Sequence, residues 1–71
     1  MANEAVTYRV AEVVGTSNES IHQAVRNGIG RASHTVRNLD WFEVTDIRGS
    51  IDGGEVASFQ VSMKIGFRLE D

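Results

Sequence analysis

The chain has 71 residues, with ten Asp and Glu against seven Lys and Arg and no cysteine. The composition excludes disulfides and thiol chemistry, and the net charge of −3 argues against a general nucleic-acid-binding protein, because phosphate neutralisation supplies most non-specific affinity for such polymers. One domain over residues 1–71 buries only about 60% of its unfolded surface, so oligomerisation is the remaining way to stabilise it.

No targeting segment or membrane span stands out in the sequence. The N-terminal residues Met1 to Glu4 lack a basic region followed by an apolar run. No stretch approaches the ~18 consecutive apolar residues of a membrane-spanning helix. We therefore expect a soluble cytoplasmic protein with no membrane partner.

The first predicted element is a β-strand from Thr7 to Val14, in which apolar and polar residues alternate loosely. Gly15 is expected to end it. The segment Thr16-Ser17-Asn18 then offers three candidate N-caps for a helix. Glu19 would lie in the first helical turn, where a carboxylate interacts favourably with the helix dipole.

A helical pattern runs from Asn18 to about Asn38. Seven residues fall within an arc of about 100°, which predicts an amphipathic helix that covers a sheet with one stripe. They are Ile21, Val25, Gly28, Ile29, Ala32, Val36 and Leu39. Gly28 lies on this stripe, so we expect it to allow close backbone packing.

A second strand begins at Asp40 and continues to Arg48, with Trp41 on the parity that also carries polar residues. Gly49 is expected to mark a β-bulge. The residues of Asp52-Gly53-Gly54 tolerate positive φ, so this segment predicts the turn of a hairpin between the second and third strands.

The third strand, Glu55 to Glu70, alternates most regularly. Its apolar parity consists of Ala57, Phe59, Val61, Met63, Ile65, Phe67 and Leu69. A straight strand of this length spans roughly 50 Å, whereas a compact monomer of this size is about 29 Å across. The strand must curl or project into a neighbouring subunit. We predict an α+β fold of order β-α-β-β, with a three-stranded antiparallel sheet packed on one amphipathic helix, in an oligomer.

Two residues are candidates for binding a flat ligand. Trp41, the only tryptophan, is either packed at a subunit interface, where aromatic residues are enriched, or a stacking platform. Gln60, on the polar parity of the third strand, offers one acceptor and two donors that suit the edge of a heterocycle. A strand glutamine is more often solvated or bridging, so both interpretations stay open.

Arg48 and Arg68 each close a strand on its polar parity, and arginine forks suit phosphate; a solvated or salt-bridged role is the alternative. His22 and His34 are roughly 18 Å apart along the predicted helix, so they cannot share a metal within one chain. We find no catalytic constellation and predict neither an enzyme nor a metal site.

Several blocks of the sequence closely resemble the dodecins, small flavin-binding proteins. The blocks are Val13-Val14-Gly15-Thr16-Ser17, Leu39-Asp40-Trp41-Phe42-Glu43-Val44, Ile47-Arg48-Gly49, Phe59-Gln60-Val61 and Gly66-Phe67-Arg68-Leu69-Glu70-Asp71. The resemblance implies a hollow homododecamer with flavins at two-fold interfaces, each stacked on a tryptophan that matches Trp41. Gln60 matches the family glutamine that hydrogen-bonds the isoalloxazine ring. Arg48 and Arg68 match arginines that help to hold the flavin phosphate in bacterial members, which favours FMN over riboflavin; riboflavin and FAD are the other flavins that the resemblance allows.

The function implied by this resemblance is flavin storage and sequestration without turnover. An electron-rich indole in contact with the ring quenches the excited flavin by electron transfer. Two other classes remain open. A coenzyme A-binding or purely structural shell would form the same oligomer without flavin, since bacterial members also bind coenzyme A. A small flavoenzyme would need a substrate pocket and an acid or base beside the ring.

Overall fold

The computed structural model describes residues 5–70. Its elements are β1 (Tyr8–Ser17), α1 (Ile21–Ala32), β2 (Leu39–Asp52) and β3 (Glu55–Arg68). The strands form one antiparallel sheet in the order β1-β3-β2, so the long third strand is central. The predicted α+β class and β-α-β-β order are confirmed. Residues 1–4 and 71 of the predicted domain, including the N-terminal segment assessed for targeting, lie outside the described residues.

The core lies between α1 and one face of the sheet. It consists of Ala24 from the helix and Val61, Met63 and Ile65 from β3, all at most 2% exposed. The three β3 residues are alternate positions of the predicted apolar parity, as expected for a strand with one face on a core. We call the other side of the sheet the helix-free face. It carries the polar parity of β3.

Two glycines let α1 approach β1 closely. A Cβ on Gly15 would overlap the carbonyl oxygen of Ala24, and a Cβ on Gly28 would lie 3.1 Å from the Cα of Gly15. The expected close packing at Gly28 is confirmed. The expected end of the first strand at Gly15 is wrong, because β1 continues through this contact to Ser17.

The helix is shorter than the predicted 18–38. Ser20 is its N-cap, with Oγ accepting from the Gln23 N–H at 2.9 Å, while Ser17 Oγ caps a separate turn by accepting from the Glu19 N–H. Glu19 therefore precedes the helix. After Ala32, Ser33 Oγ donates to the Gly30 carbonyl at 2.7 Å, a local contact that competes with helix continuation.

The β2–β3 hairpin turns as predicted. Gly53 and Gly54 have φ values of 61° and 82°, as in a type I′ turn, whose twist matches that of the flanking strands. The expected bulge at Gly49 is wrong. Gly49 is in register with Phe59, and a Cβ there would run into the Ser58 carbonyl, so glycine is needed for close strand approach.

The molecule is long and thin, with extents of 60 × 20 × 14 Å and a radius of gyration of 15.2 Å. A compact chain of this length would have a radius of gyration near ~11 Å. The prediction that the third strand is too long for a compact monomer of this size is therefore confirmed. Large apolar side chains are exposed along β2 and the hairpin, namely Phe42, Val44, Ile47, Ile51 and Val56.

Candidate functional site

All four predicted site residues lie on the helix-free face. Arg48 is in register with Gln60 and Trp41 with Gly66, while Arg68 lies opposite Tyr8 of β1. The even-numbered residues of β3 point away from the core residues between them, which fixes this face for Gln60 and Arg68. The sheet therefore presents the four candidate side chains on one surface.

A β-bulge puts Arg48 on the same face as Trp41. The two residues are seven positions apart, so strict alternation would point them in opposite directions. Val44 is in register with Met63 and Asp46 with Ser62, which leaves Thr45 as an extra residue in β2. Thr45 Oγ1 donates to the Ser62 carbonyl at 3.2 Å. The extra residue reverses the parity of the strand beyond it.

The indole of Trp41 lies across Gly66. A Cβ on Gly66 would overlap ring atoms Cε2, Cζ2 and Nε1, so the absence of a side chain there lets the ring rest on the backbone of β3. Trp41 is nevertheless 42% exposed. One part of the ring is against the sheet and the rest is open to solvent, which is the geometry of a stacking platform.

Tyr8 flanks this platform on the far side of β3. Its ring centroid is 6.3 Å from that of Trp41, with 56° between the planes. Its hydroxyl donates to Asp40 Oδ2 at 2.7 Å. This hydrogen bond, followed by desolvation and the charge of Asp40, raises the pKa of Tyr8, while Arg68 acts in the opposite direction. The phenol is a stable donor at neutral pH.

Sequence reasoning missed Tyr8 and Asp40 as parts of the site. In a regular strand, Asp40 would point away from the face that carries Trp41. The register moves from Leu39 opposite Phe67 to Trp41 opposite Gly66, so Asp40 is the extra residue of a bulge. The sequence signal for this end of the site is the glycine that pairs with the tryptophan. That pairing can be recognised only when the register of β2 and β3 is known.

Arg48 and Gln60 form the second part of the site. Arg48 Nε donates to Gln60 Oε1 at 3.2 Å. A guanidinium has five N–H donors and an amide has two, so this contact keeps the two side chains aligned and leaves four guanidinium hydrogens and the amide hydrogens for a ligand. Ser50 and Ser58 share a 2.7 Å hydrogen bond farther along the hairpin.

One chain does not bring the two parts together. Gly66, beneath Trp41, and Gln60 are six positions apart on β3, or roughly 20 Å at the usual rise of a strand. Arg68 lies near the Trp41 end. The intervening face carries a row of charged residues in register across the sheet, Glu12, Lys64 and Glu43.

An apolar groove of about 390 Å³ opens on the other side of the sheet, between α1, β1 and the segment that follows the helix. It contains none of the four predicted site residues. Arg31 and Asn27 are polar residues among its lining. His22 and His34 are exposed. Within residues 5–70, no three acidic or histidine side chains lie close enough to hold a metal ion.

No helix in the described part of the chain is long and apolar enough to cross a membrane. The location in the cytoplasm stays a prediction.

Comparison with known proteins gives a consistent result. A family model described as Dodecin matches residues 7–70. The dodecin of Thermus thermophilus is 47% identical over 64 residues, which cover 90% of this chain and 93% of the relative. A structure of dodecin from Streptomyces coelicolor has 60% identity and a TM-score of 0.90, with coverage of 100% and 99%. Dodecin from Streptomyces davaonensis has 56% identity and a TM-score of 0.92, with coverage of 96% and 100%.

Proposed function

The chain belongs to the dodecin family, and from this premise we propose that it is a flavin-binding storage protein that sequesters FMN, with riboflavin as a weaker ligand, and catalyses no reaction. The assembly we propose is a hollow homododecamer in the cytoplasm. The observation that carries this function is the indole of Trp41, which lies across Gly66 with 42% of its surface exposed.

A second copy of the chain completes the site. Trp41 and the Arg48–Gln60 pair are on one face but at opposite ends of it, roughly 20 Å apart along β3. A two-fold axis turns one copy end to end relative to the other. The Arg48 and Gln60 of one copy then lie beside the Trp41 of its mate, and each ligand contacts residues of both chains.

Each side chain has a distinct role in this proposal. Trp41 stacks on the isoalloxazine ring, and the amide hydrogens of Gln60 donate to the ring carbonyl groups. Arg48 and Arg68 bind the phosphate of FMN, since a guanidinium fork matches phosphate oxygens. The Arg48–Gln60 hydrogen bond holds a ring-binding residue next to a phosphate-binding residue before any ligand arrives.

Contact between the ring and the indole explains the value of sequestration. A free flavin in its excited state generates reactive species. An electron-rich indole in van der Waals contact transfers an electron to the excited ring, and rapid return of that electron restores both ground states. Stacking on both faces of the ring at the interface between two copies would leave no room for a substrate, so binding alone performs the function.

The test is a spectrum of protein purified without added cofactor, followed by titration of the flavin-free protein with FMN and riboflavin. We expect visible flavin absorbance, strong quenching of flavin emission on binding and a mass near twelve subunits by light scattering. A coenzyme A-binding or structural shell would give the same mass without flavin absorbance or quenching. A folded monomer would contradict the proposal entirely.

A further inference from the structure

We propose that Tyr8 is a positioning residue, which holds the indole of Trp41 against the sheet and so presents the open part of the ring to the ligand in one orientation. The identity of that ligand as a flavin rests on the proposed function. The positioning itself is a property of the ligand-free chain and can be tested without flavin.

The two rings meet above a strand that separates their backbones. Tyr8 is on β1 and Trp41 on β2, with β3 between them, so their backbones are about 10 Å apart, two strand spacings. The ring centroids are 6.3 Å apart, so the side chains lean towards each other over β3. Gly66 leaves the space that this approach needs.

Tyr8 restrains the ring and also the backbone that carries it. The 56° angle between the planes is in the tilted range that aromatic pairs favour, so the phenol limits the swing of the indole. The Tyr8 hydroxyl binds Asp40, the residue before Trp41, at 2.7 Å. Asp40 occupies the bulge, so the hydrogen bond fixes the local backbone geometry from which Trp41 projects.

The structure distinguishes this role from general support of the sheet. Tyr8 is 37% exposed and is not part of the core. Val14 is a matched control, because it is on the same face of β1, is 54% exposed and lies opposite Ser62 rather than near Trp41. Loss of apolar surface from β1 is common to both positions, whereas contact with the indole belongs to Tyr8.

The experiment uses the full chain and its three variants Tyr8→Ala, Tyr8→Phe and Val14→Ala. Trp41 is the only tryptophan, so near-ultraviolet circular dichroism in the tryptophan region and acrylamide quenching of its emission report on this one ring. In flavin-free protein, we expect Tyr8→Ala to lose most of the tryptophan dichroism and to be quenched more strongly. Tyr8→Phe keeps the ring contact and should give intermediate values. Val14→Ala should match the parent.

The second readout is flavin affinity. We expect Tyr8→Ala to weaken FMN and riboflavin by the same factor, about tenfold at most for a lost aromatic contact, because the stacking ring is common to both ligands. Tyr8→Phe should restore part of this loss. An equal loss for both flavins separates Tyr8 from a residue that contacts phosphate.

Unchanged dichroism and quenching in an assembled Tyr8→Ala protein would overturn the proposal. If Tyr8→Ala does not assemble, Tyr8→Phe decides, since an unchanged tryptophan signal overturns the inference and a reduced one supports it. Failure of the parent to bind flavin would refute the proposed function while the first readout still tests Tyr8. If the parent binds flavin and the Tyr8 variants keep the flavin affinity and the tryptophan dichroism of the parent, the positioning role is refuted and the proposed function stands.

Discussion

Gly66 supports the indole of Trp41 from directly across the β2–β3 pair, at a point where any side chain would occupy the space of the ring. The glycine is therefore as much a part of the candidate site as the tryptophan. The glycine sets the distance between the indole ring and the backbone of β3. That distance in turn determines how much space is left for a ligand above the ring.

Replacement of Gly66 by alanine should weaken flavin binding while the assembly persists. The added methyl overlaps the indole, which must lift or rotate, and we expect FMN and riboflavin to lose about 1 to 3 kcal/mol alike, the scale of aromatic stacking on a planar base. Titration by flavin emission measures this loss. Gly30→Ala is the control, since nothing lies within 4 Å of that position. Parent-like affinity in assembled Gly66→Ala would show that the stacked ring is not held where the structure has it.

The two glycines within α1 should respond to alanine with opposite signs. Gly30 faces open space, so Gly30→Ala should stabilise the protein by about 0.5 to 1 kcal/mol through helix propensity. Gly28→Ala should destabilise it by about 1 to 3 kcal/mol through overpacking, because the new Cβ would lie 3.0 Å from Met63 Cε and 3.1 Å from Gly15 Cα. Denaturant unfolding at matched protein concentration gives both values. Equal shifts would contradict the close helix–strand contact.

The residues assigned to the ring and to the phosphate should separate by ligand. Gln60→Ala should weaken FMN and riboflavin alike, by about 1 to 3 kcal/mol for polar groups left unpaired. Arg68→Ala should weaken FMN alone, and the preference for FMN should shrink as salt rises, because a charge-assisted contact to an exposed phosphate is screened. Isothermal titration of both flavins at two ionic strengths measures this.

Arg48→Ala should combine both effects. It removes a phosphate contact and also releases Gln60 from the 3.2 Å hydrogen bond that aligns it, so a large loss for FMN should be accompanied by a small one for riboflavin. The same two-ligand titration serves here, with Arg68→Ala as the matched control. Identical losses for both ligands in both arginine variants would mean that these residues hold the interface and contact no phosphate.

Tyr8 should titrate above its ordinary range. Its pKa is raised, chiefly by the hydrogen bond to Asp40. A pKa higher in the folded than in the unfolded chain adds stability that is present below the unfolded pKa of about 10 and is lost as pH rises through the folded value. Tyr8 is the only tyrosine, so the absorbance of tyrosinate follows it directly. Asp40→Asn should lower the titration midpoint, and an unchanged midpoint would contradict the role of the carboxylate.

The third strand shows how much of the fold can be predicted from sequence. Its alternation of apolar and polar residues predicts the core residues Val61, Met63 and Ile65, because a pattern with a period of two indicates an extended strand with one buried face. The Asp52-Gly53-Gly54 turn is equally local, since positive φ at both glycines is a property of the residues themselves. Both predictions depend on interactions within a few residues of the chain.

The ends of α1 could not be predicted in the same way. The apolar stripe extends to Val36 and Leu39, but these residues follow the helix and line the groove beside it. Periodicity continues past the helix because Leu39, the first residue of β2, also packs against the core. The helix ends at Ala32 because of Ser33, its C-cap, and the chain is then redirected into β2 by Asn38, whose φ is 65°. In the sequence alone, a single serine and a single asparagine are weaker signals than a long apolar stripe.

The candidate site was predicted by residue but not by geometry. The sequence indicates Trp41, Gln60, Arg48 and Arg68, yet it contains no sign that an extra residue in β2 turns Arg48 onto the face of Trp41. Bulges arise from pairing with a partner strand, so they are invisible in the alternation of one strand. Asp40 was missed for the same reason. Tyr8 was missed because its position near Trp41 depends on the pairing of β1 and β2 on either side of β3.

The interrupted register of β2 has a consequence for the chain before it assembles. A long outer strand with exposed apolar side chains is a template on which further chains can add and grow into fibres. β2 is an outer strand of 14 residues, but its ladder with β3 is broken at three places. At two of them the extra residue is in β2 itself, Asp40 and Thr45, and each of these bulges twists the strand and disturbs the spacing of its outward N–H and C=O groups. An incoming strand cannot pair along its whole length, so the same irregularities that aim Asp40 and Arg48 also protect newly made chains from open-ended aggregation.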